Sequence, residues 1–283
     1  MIFLILVLLI IVGIILLLGH FVGHWFDKKD NFHKNPSLGF VALFKNEEDI
    51  IEEWIMHHKR EGVTEFILID NDSTDNSPTL ARKYPEVTII KDSRCPFNCT
   101  DNISHQTQMV TDACKKAKSD WLIVGDLDEF WYIPKGKITD YLKTVPKKIN
   151  QITTEWLLFG SNGYINQPPS VVKYFTKRQK KPSKASKWKG HEKSIIRRKA
   201  IGSQKIHHHY GITRKNVIYL KAMDSNPLIL NHYRAQSKKK WYSRRNGRVG
   251  SPGGGSNDNE DWWKAIDRNE VIDTELAHKK YKV

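Results

Sequence analysis

Two carboxylates one residue apart, Asp126 and Asp128, with Glu129 directly behind them, follow the apolar run Trp121-Leu122-Ile123-Val124-Gly125. The run reads as a buried strand. In an extended segment residues i and i+2 point to the same side, so both aspartates can face one ion. Three neighbouring acids repel one another at neutral pH unless a cation compensates them. A hard divalent ion that keeps some of its waters and shares phosphate oxygens suits that place. An ordinary acidic turn at a strand end carries the same residues, so the chemistry depends on what else the chain delivers there.

Two further polar turns follow apolar runs in the same way. Leu38-Gly39-Phe40-Val41-Ala42-Leu43-Phe44 leads into Lys45-Asn46-Glu47, and Glu65-Phe66-Ile67-Leu68-Ile69 leads into Asp70-Asn71-Asp72-Ser73-Thr74-Asp75-Asn76-Ser77. Both runs read as strands. Between them the spacing predicts a helix from an Asn46 N-cap through Glu61, closed by Gly62, with Ile50, Ile51, Trp54, Ile55 and His58 on one face. A short helix to about Lys83, a strand at 87–90, a helix at 103–118 and a strand at 121–124 continue the alternation. Such alternation predicts an α/β fold with a parallel sheet and right-handed crossovers. The three polar turns then share the carboxyl edge of that sheet, where open α/β sheets bind nucleotides.

Length and composition fit an anchored globular protein. The chain has 283 residues, 39% hydrophobic, with nine tryptophans, enough for a proper core and against a disordered chain. Net charge is +15, which points to an anionic partner. The excess is local: residues 173–205 hold thirteen Lys or Arg against the single acid Glu192. Tyr174, Phe175 and Trp188 lie within that tract, but no recognised nucleic-acid-binding fold frames it. A solvated loop or contact with anionic lipid ranks first for it, diphosphate contacts from Lys193 and Arg197 second, and nucleic acid last. Three cysteines, Cys95, Cys99 and Cys114, make no disulfide framework and no zinc knuckle; Cys95 and Cys99 either pair locally or stay free thiols.

Residues 2–19 are an unbroken apolar run and the first charge is Asp27, so residues 1–26 read as a single membrane-spanning anchor rather than a cleaved leader. Lys28, Lys29 and Lys34 follow the span, which favours a cytoplasmic catalytic domain; the sequons at Asn98 and Asn102 serve only in a secretory lumen. Residues 27–37 form a linker, 38–250 the main domain, divided into 38–130 and 131–250, and 251–283 a glycine-rich break followed by a final helix over 258–280.

In this order, the turns Lys45-Asn46-Glu47, Asp70-Asn71-Asp72-Ser73-Thr74-Asp75 and Asp126-Leu127-Asp128-Glu129-Phe130 resemble the nucleotide-sugar half of a GT-A glycosyltransferase, of the family 2-like and family 92 kind. Trp156-Leu157-Leu158-Phe159-Gly160-Ser161, Lys193-Ser194-Ile195-Ile196-Arg197, the His207-His208-His209 run and Asn231-His232-Tyr233-Arg234 extend the likeness. The resemblance implies a metal-dependent, inverting transfer of a hexose from a nucleotide-sugar to a glycan, glycolipid or glycoprotein hydroxyl. The donor it implies is a UDP-sugar, and galactose is the sugar it suggests. Asp128 would coordinate Mn2+ or Mg2+, with Asp126 reaching the ribose or a metal-bound water. Glu47 and Asp72 would line the nucleoside pocket, with Asp70 close by and Lys45 in the same turn. His209 would complete the metal shell, with His232 as the alternative. An acceptor hydroxyl needs a carboxylate base; Glu155 is the first choice, with Glu129 and Asp224 also available. The rival reading is a membrane-tethered, non-catalytic protein that binds a nucleotide, RNA or lipid.

Overall fold

The structure is a computed structural model that describes residues 34–96, 105–180, 192–202, 205–206, 211–212, 216–220, 226–246 and 259–281. In chain order the strands of the first half are β1 (Leu38–Phe44), β2 (Val63–Asp70), β3 (Val87–Lys91), β4 (Trp121–Gly125) and β5 (Glu129–Tyr132). The second half adds β6 (Gln151–Glu155), β7 (Leu157–Leu158), β8 (Lys177–Arg178), β9 (Glu192–Arg197), β10 (Val217–Leu220), β11 (Ile229–His232) and β12 (Val271–Ile272). The helices are α1 (Ile51–Arg60), α2 (Ser77–Ala81), α3 (Gln106–Lys116), α4 (Ile138–Lys143), α5 (Val171–Tyr174), α6 (Lys238–Asn246) and α7 (Asn259–Ile266).

The central sheet has seven strands in the order β10-β6-β9-β4-β1-β2-β3. Its pairings are parallel except those of β9, which runs against both β4 and β6. Strands covered on both faces read as continuous apolar runs, which is why β1, β2 and β4 were plain in the sequence. Alternate residues go to opposite faces. Phe40, Ala42, Phe44, Phe66, Leu68 and Ile123 pack with Trp54 and Ile55 of α1. Val41, Ile67, Ile69, Leu122 and Val124 pack with Met109, Val110 and Cys114 of α3. The chain order places the switch of direction between β1 and β4, so a crevice opens at the carboxyl ends of those two strands.

A second sheet, β5-β11-β7, continues directly from β4. β11 lies antiparallel to β5 with His232 opposite Glu129, and parallel to β7 with His232 opposite Leu158. Two histidines of α1 brace β5 from behind: His57 Nε2 bonds the Trp131 carbonyl at 2.7 Å, and the Trp131 amide donates to His58 Nε2 at 3.2 Å. Trp54 Nε1 donates to the Glu129 carbonyl at 3.0 Å, so α1 fixes the backbone that carries the acidic turn.

Several expectations need correction. Asn46 is no N-cap: helix α1 begins five residues later, at Ile51, and Asn46 sits at φ 57 with its side chain engaged by another loop. Gly62, at φ 98, does close that helix. The expected helix over 258–280 is shorter, covering Asn259–Ile266, and the chain then forms β12 against β8. Arg178 Nε meets Asp273 Oδ2 at 2.5 Å and Trp263 packs against Trp241, so this segment docks onto the body. Cys95 is disulfide-bonded, and Cys114 is free and buried. The apolar run, the sequons, the glycine-rich break, His209 and Asp224 lie outside the described residues. Among the described residues no helix is long and apolar enough to cross a membrane.

Candidate active site

Phe44 pairs with Asp70 and Ala42 with Gly125, so the turns after β1, β2 and β4 stand at one edge of the sheet. The first two are laced together. Asn46 Oδ1 accepts from the Thr74 amide at 2.8 Å, the Glu47 amide donates to Ser77 Oγ at 2.7 Å, and the Glu48 amide donates to Asp75 Oδ2 at 3.0 Å. The outcome is a rigid pair of loops that presents Glu47, which is only 5% exposed. Lys45 is exposed beside it.

The Asp126 to Glu129 turn has its own frame. Glu129 is fully buried; its Oε2 accepts from the Asp126 amide at 3.1 Å, and its Oε1 lies 3.1 Å from Lys193 Nζ. Lys193, also fully buried, donates to Asp126 Oδ2 at 2.7 Å. This folded-back carboxylate explains Gly125, where a Cβ would lie 2.8 Å from Glu129 Oε2 and 3.0 Å from Phe40 Cζ. Burial pushes the Glu129 carboxyl up, and the charges of Asp126 and Asp128 push it the same way, with Lys193 opposing. Burial alone would lower the Lys193 ammonium, but Asp126 and Glu129 outweigh it, so Lys193 stays charged.

Asp128 is the meeting point. Its Oδ2 accepts from Arg244 Nη1 at 3.1 Å, and Arg244 Nη2 donates to Glu47 Oε2 at 2.7 Å. One guanidinium from α6 thus ties the turn after β4 to the turn after β1. Its other partner is Gln236, whose amide oxygen, in the orientation that satisfies both ends of that side chain, accepts from Nη2 at 2.8 Å and Nη1 at 3.1 Å. Lys240, one helical turn before Arg244, meets Asp49 at 2.5 Å, the Asn46 carbonyl at 3.1 Å and Glu47 at 3.3 Å. On its other side, Asp128 Oδ1 lies 3.3 Å from His232 Nε2. Burial lowers the His232 imidazole, with Asp128 opposing, so the ring is kept neutral. Its ring meets Trp156 edge-on at 4.7 Å.

A divalent cation fits this donor set in part. A carboxylate oxygen beside the Nε2 of a neutral imidazole suits Mn2+ better than a soft metal. Among the described residues no group of three or more His, Cys, Asp or Glu gathers around one point. Asp128 and His232 therefore form an open pair that phosphate oxygens and water would complete, the usual manner for such ions.

The other expected residues divide. Asp70 is 7% exposed, and its Oδ1 accepts from the Ser73 amide at 2.9 Å, holding the β2 turn. Asp72, at φ 58, faces the β3 side: Ser93 Oγ donates to it at 2.7 Å and Lys91 lies 3.6 Å away, so it does not join Glu47 and Asp128. Glu155 ends β6 opposite Glu192, at the same edge as Asp126 but with β9 between them, about 10 Å across two strand spacings. Arg197 is a correction. It pairs with Trp121 at the far end of β4, about 13 Å along β9 from Lys193. There it stacks on the Trp121 ring at 4.1 Å and donates to the carbonyls of Ile149 and Pro146. Arg244 and Lys240 escaped the sequence reading. Their signal was a pair of cations four residues apart on one helix face, inside a basic stretch that otherwise reads as solvated.

A sheet in the order 3-2-1-4, with acids and an arginine gathered at its switch-point crevice and an antiparallel strand inserted beyond β4, defines an α/β protein of GT-A-like fold. The sequence profile of glycosyltransferase family 92 matches residues 41–265. The chain belongs to that family. A family 92 protein of Ricinus communis is 25% identical over 228 residues, covering 75% of this chain and 38% of the relative. One of Oryza sativa subsp. japonica is likewise 25% identical over 228 residues, covering 76% and 36%. The chain spans less than two fifths of the length of these relatives. Among solved structures, a mannosyltransferase of Pyrobaculum calidifontis in complex with GDP-Man and Mn2+ overlaps at TM-score 0.45 and 10% identity, covering 75% of this chain and 60% of that one. Glucosyl-3-phosphoglycerate synthase of Mycobacterium tuberculosis, in complex with Mn2+ and UDP-glucose, gives 0.41 and 12%, covering 78% and 81%.

Proposed function

We propose that this chain transfers a hexose from a nucleoside-diphosphate sugar, a UDP-hexose, to an acceptor hydroxyl, with inversion at the anomeric carbon. The observation that carries the reading is the convergence of Glu47 and Asp128 on one guanidinium at the switch point of the sheet. Acids from two strand ends gather there because the topology brings those ends together.

Asp128 and His232 would hold Mn2+ or Mg2+, which supplies Lewis-acid neutralisation of the diphosphate leaving group. Lys193 holds Asp126 by its carboxylate and Glu129 holds it by its amide, so the turn is set before substrate arrives. Glu47 and the backbone of the β1 and β2 turns would face the nucleoside, with Lys45 and Asp70 at the rim and Asp72 on the β3 side. Glu155, on the other side of β9, would be the base that takes the acceptor proton. His209 remains a candidate further ligand of the metal. The apolar residues 2–19 would tether the domain beside a membrane, where glycolipid and glycoprotein acceptors reside; their unbroken hydrophobicity supports this.

The test is sugar transfer to, or hydrolysis by water from, a panel of UDP-hexoses with Mn2+ present. Activity is expected with at least one donor and a loss of about a hundredfold or more in Asp128→Ala, the scale of losing one preorganised electrostatic contact. Inactivity with every donor, or full activity in Asp128→Ala, contradicts the proposal.

A further inference from the structure

Arg244 stands where a substrate-free acidic site needs a counter-charge. Glu47 and Asp128 are nearly buried, with side chains 6% and 15% exposed, and two such carboxylates require a cation between them. Arg244 provides it through both arms of its fork. Yet a guanidinium on Asp128 Oδ2 and a divalent cation on Oδ1 of the same carboxylate repel each other, so a bound cation weakens this contact.

Arg244 is not fully satisfied where it lies. Its Nε is buried without a hydrogen-bond partner among the described residues, so the present arrangement satisfies the guanidinium only in part. Helix α6 is held independently. Lys240 grips Asp49 and the Asn46 carbonyl, and Trp241 packs against Trp263 with 4% exposure. Those anchors keep the helix docked while Arg244 changes rotamer. A planar fork with parallel donors matches a diphosphate as well as it matches two carboxylates.

We propose that Arg244 is a two-position guanidinium: it neutralises Glu47 and Asp128 in the free protein, and passes to the donor diphosphate when a divalent cation takes its place on Asp128. The inference rests on the donor-site reading above and assigns a diphosphate-binding residue within it. Cation and nucleotide then bind cooperatively, because neither alone provides both the replacement charge on Asp128 and the new partner for Arg244.

The test measures two affinities by calorimetry on the full chain: Mn2+ alone, and UDP at saturating Mn2+, with GDP as a second arm. Removing the fork in Arg244→Gln is expected to tighten Mn2+ alone by about tenfold and to weaken UDP by about tenfold or more, the scale of a hydrogen bond to a charged group. A residue with a purely structural role would move both affinities the same way. Arg244→Lys keeps the charge without the fork, and serves if Arg244→Gln does not fold. It is expected to leave Mn2+ affinity within about threefold of wild type while UDP weakens, because a point charge lacks the bidentate match. Opposite shifts in Arg244→Gln, or the Arg244→Lys pattern, support the exchange. If the wild type binds Mn2+ and UDP but the variants shift both affinities together, or neither, the exchange alone is overturned. If the wild type binds neither UDP nor GDP with Mn2+, the donor-site reading fails and the exchange fails with it.

Discussion

Replacing Lys193 by Met removes the buried ammonium that lies 2.7 Å from Asp126 and 3.1 Å from Glu129. The aliphatic volume is kept and the charge is lost, so Glu129, with no exposed surface, must either protonate or remain buried and uncompensated. Breaking a buried pair from one side costs about 3–5 kcal/mol. At about 2–4 °C of melting temperature per kcal/mol for a chain of this size, the midpoint should fall by roughly 6–20 °C. Glu129→Gln alone should cost less, about 1–3 kcal/mol, since Lys193 keeps Asp126 as partner. The double variant Lys193→Met with Glu129→Gln places an amide where the isolated carboxylate stood, and its loss should fall short of the sum of the two single losses by about 1 kcal/mol or more. Urea unfolding of the four proteins closes the cycle. A Lys193→Met variant within about 1 kcal/mol of wild type, or a strictly additive double variant, would refute the view that this ammonium organises the acidic turn.

Ser77→Ala should cost about 1–3 kcal/mol by leaving the buried Glu47 amide without its 2.7 Å acceptor, and should weaken nucleotide binding as the β1 turn loosens; unchanged urea midpoint and UDP affinity contradict this. Burial holds the His57 imidazole down at about 3, against an ordinary value of 6.5. The unfolded chain therefore takes up a proton that the folded chain refuses, so stability is fully present above pH 6.5 and is lost as pH falls from there towards 3. At pH 5 the His57 share of the loss is about 2 kcal/mol, and His58, shifted in the same direction by burial, adds to it. Unfolding midpoints from pH 7.5 to 5 should drop more steeply in the wild type than in His57→Gln, and parallel curves would contradict the assignment. Arg197→Lys should lower the melting temperature, through loss of its stacking on Trp121 and its two carbonyl contacts, while leaving UDP affinity unchanged; a selective loss of UDP affinity would return Arg197 to the donor site.

What the sequence revealed follows from how local each signal is. The strands β1 and β4, and β2 from Phe66 to Ile69, are continuously apolar because helices cover both faces, and the polar turn after each is abrupt. Asn46 shows a local rule overridden: its residue type suits an N-cap, but its side-chain oxygen is taken by the Thr74 amide, 28 residues on. The second half was harder. Gln151-Ile152-Thr153-Thr154-Glu155 and Glu192-Lys193-Ser194-Ile195-Ile196-Arg197 are mixed in polarity, and no motif announces that β9 runs antiparallel between β4 and β6. Lys193 and Arg197 came from one basic tract, yet the length of one strand sends them to opposite ends of the sheet. Arg244 was illegible for a different reason. Its carboxylate partners lie 197 and 116 residues earlier, and a cation in a basic helix looks like solvated surface until the fold closes over it.

UDP titrated into the full chain, once with Mn2+ and once with EDTA, for wild type and Asp128→Asn, tests the central claim most directly. An Asp128 that shares a cation with the donor diphosphate predicts binding in the wild type only when Mn2+ is present, and none in Asp128→Asn at matched folding. Equal affinity with EDTA, or undiminished affinity in Asp128→Asn, would contradict it.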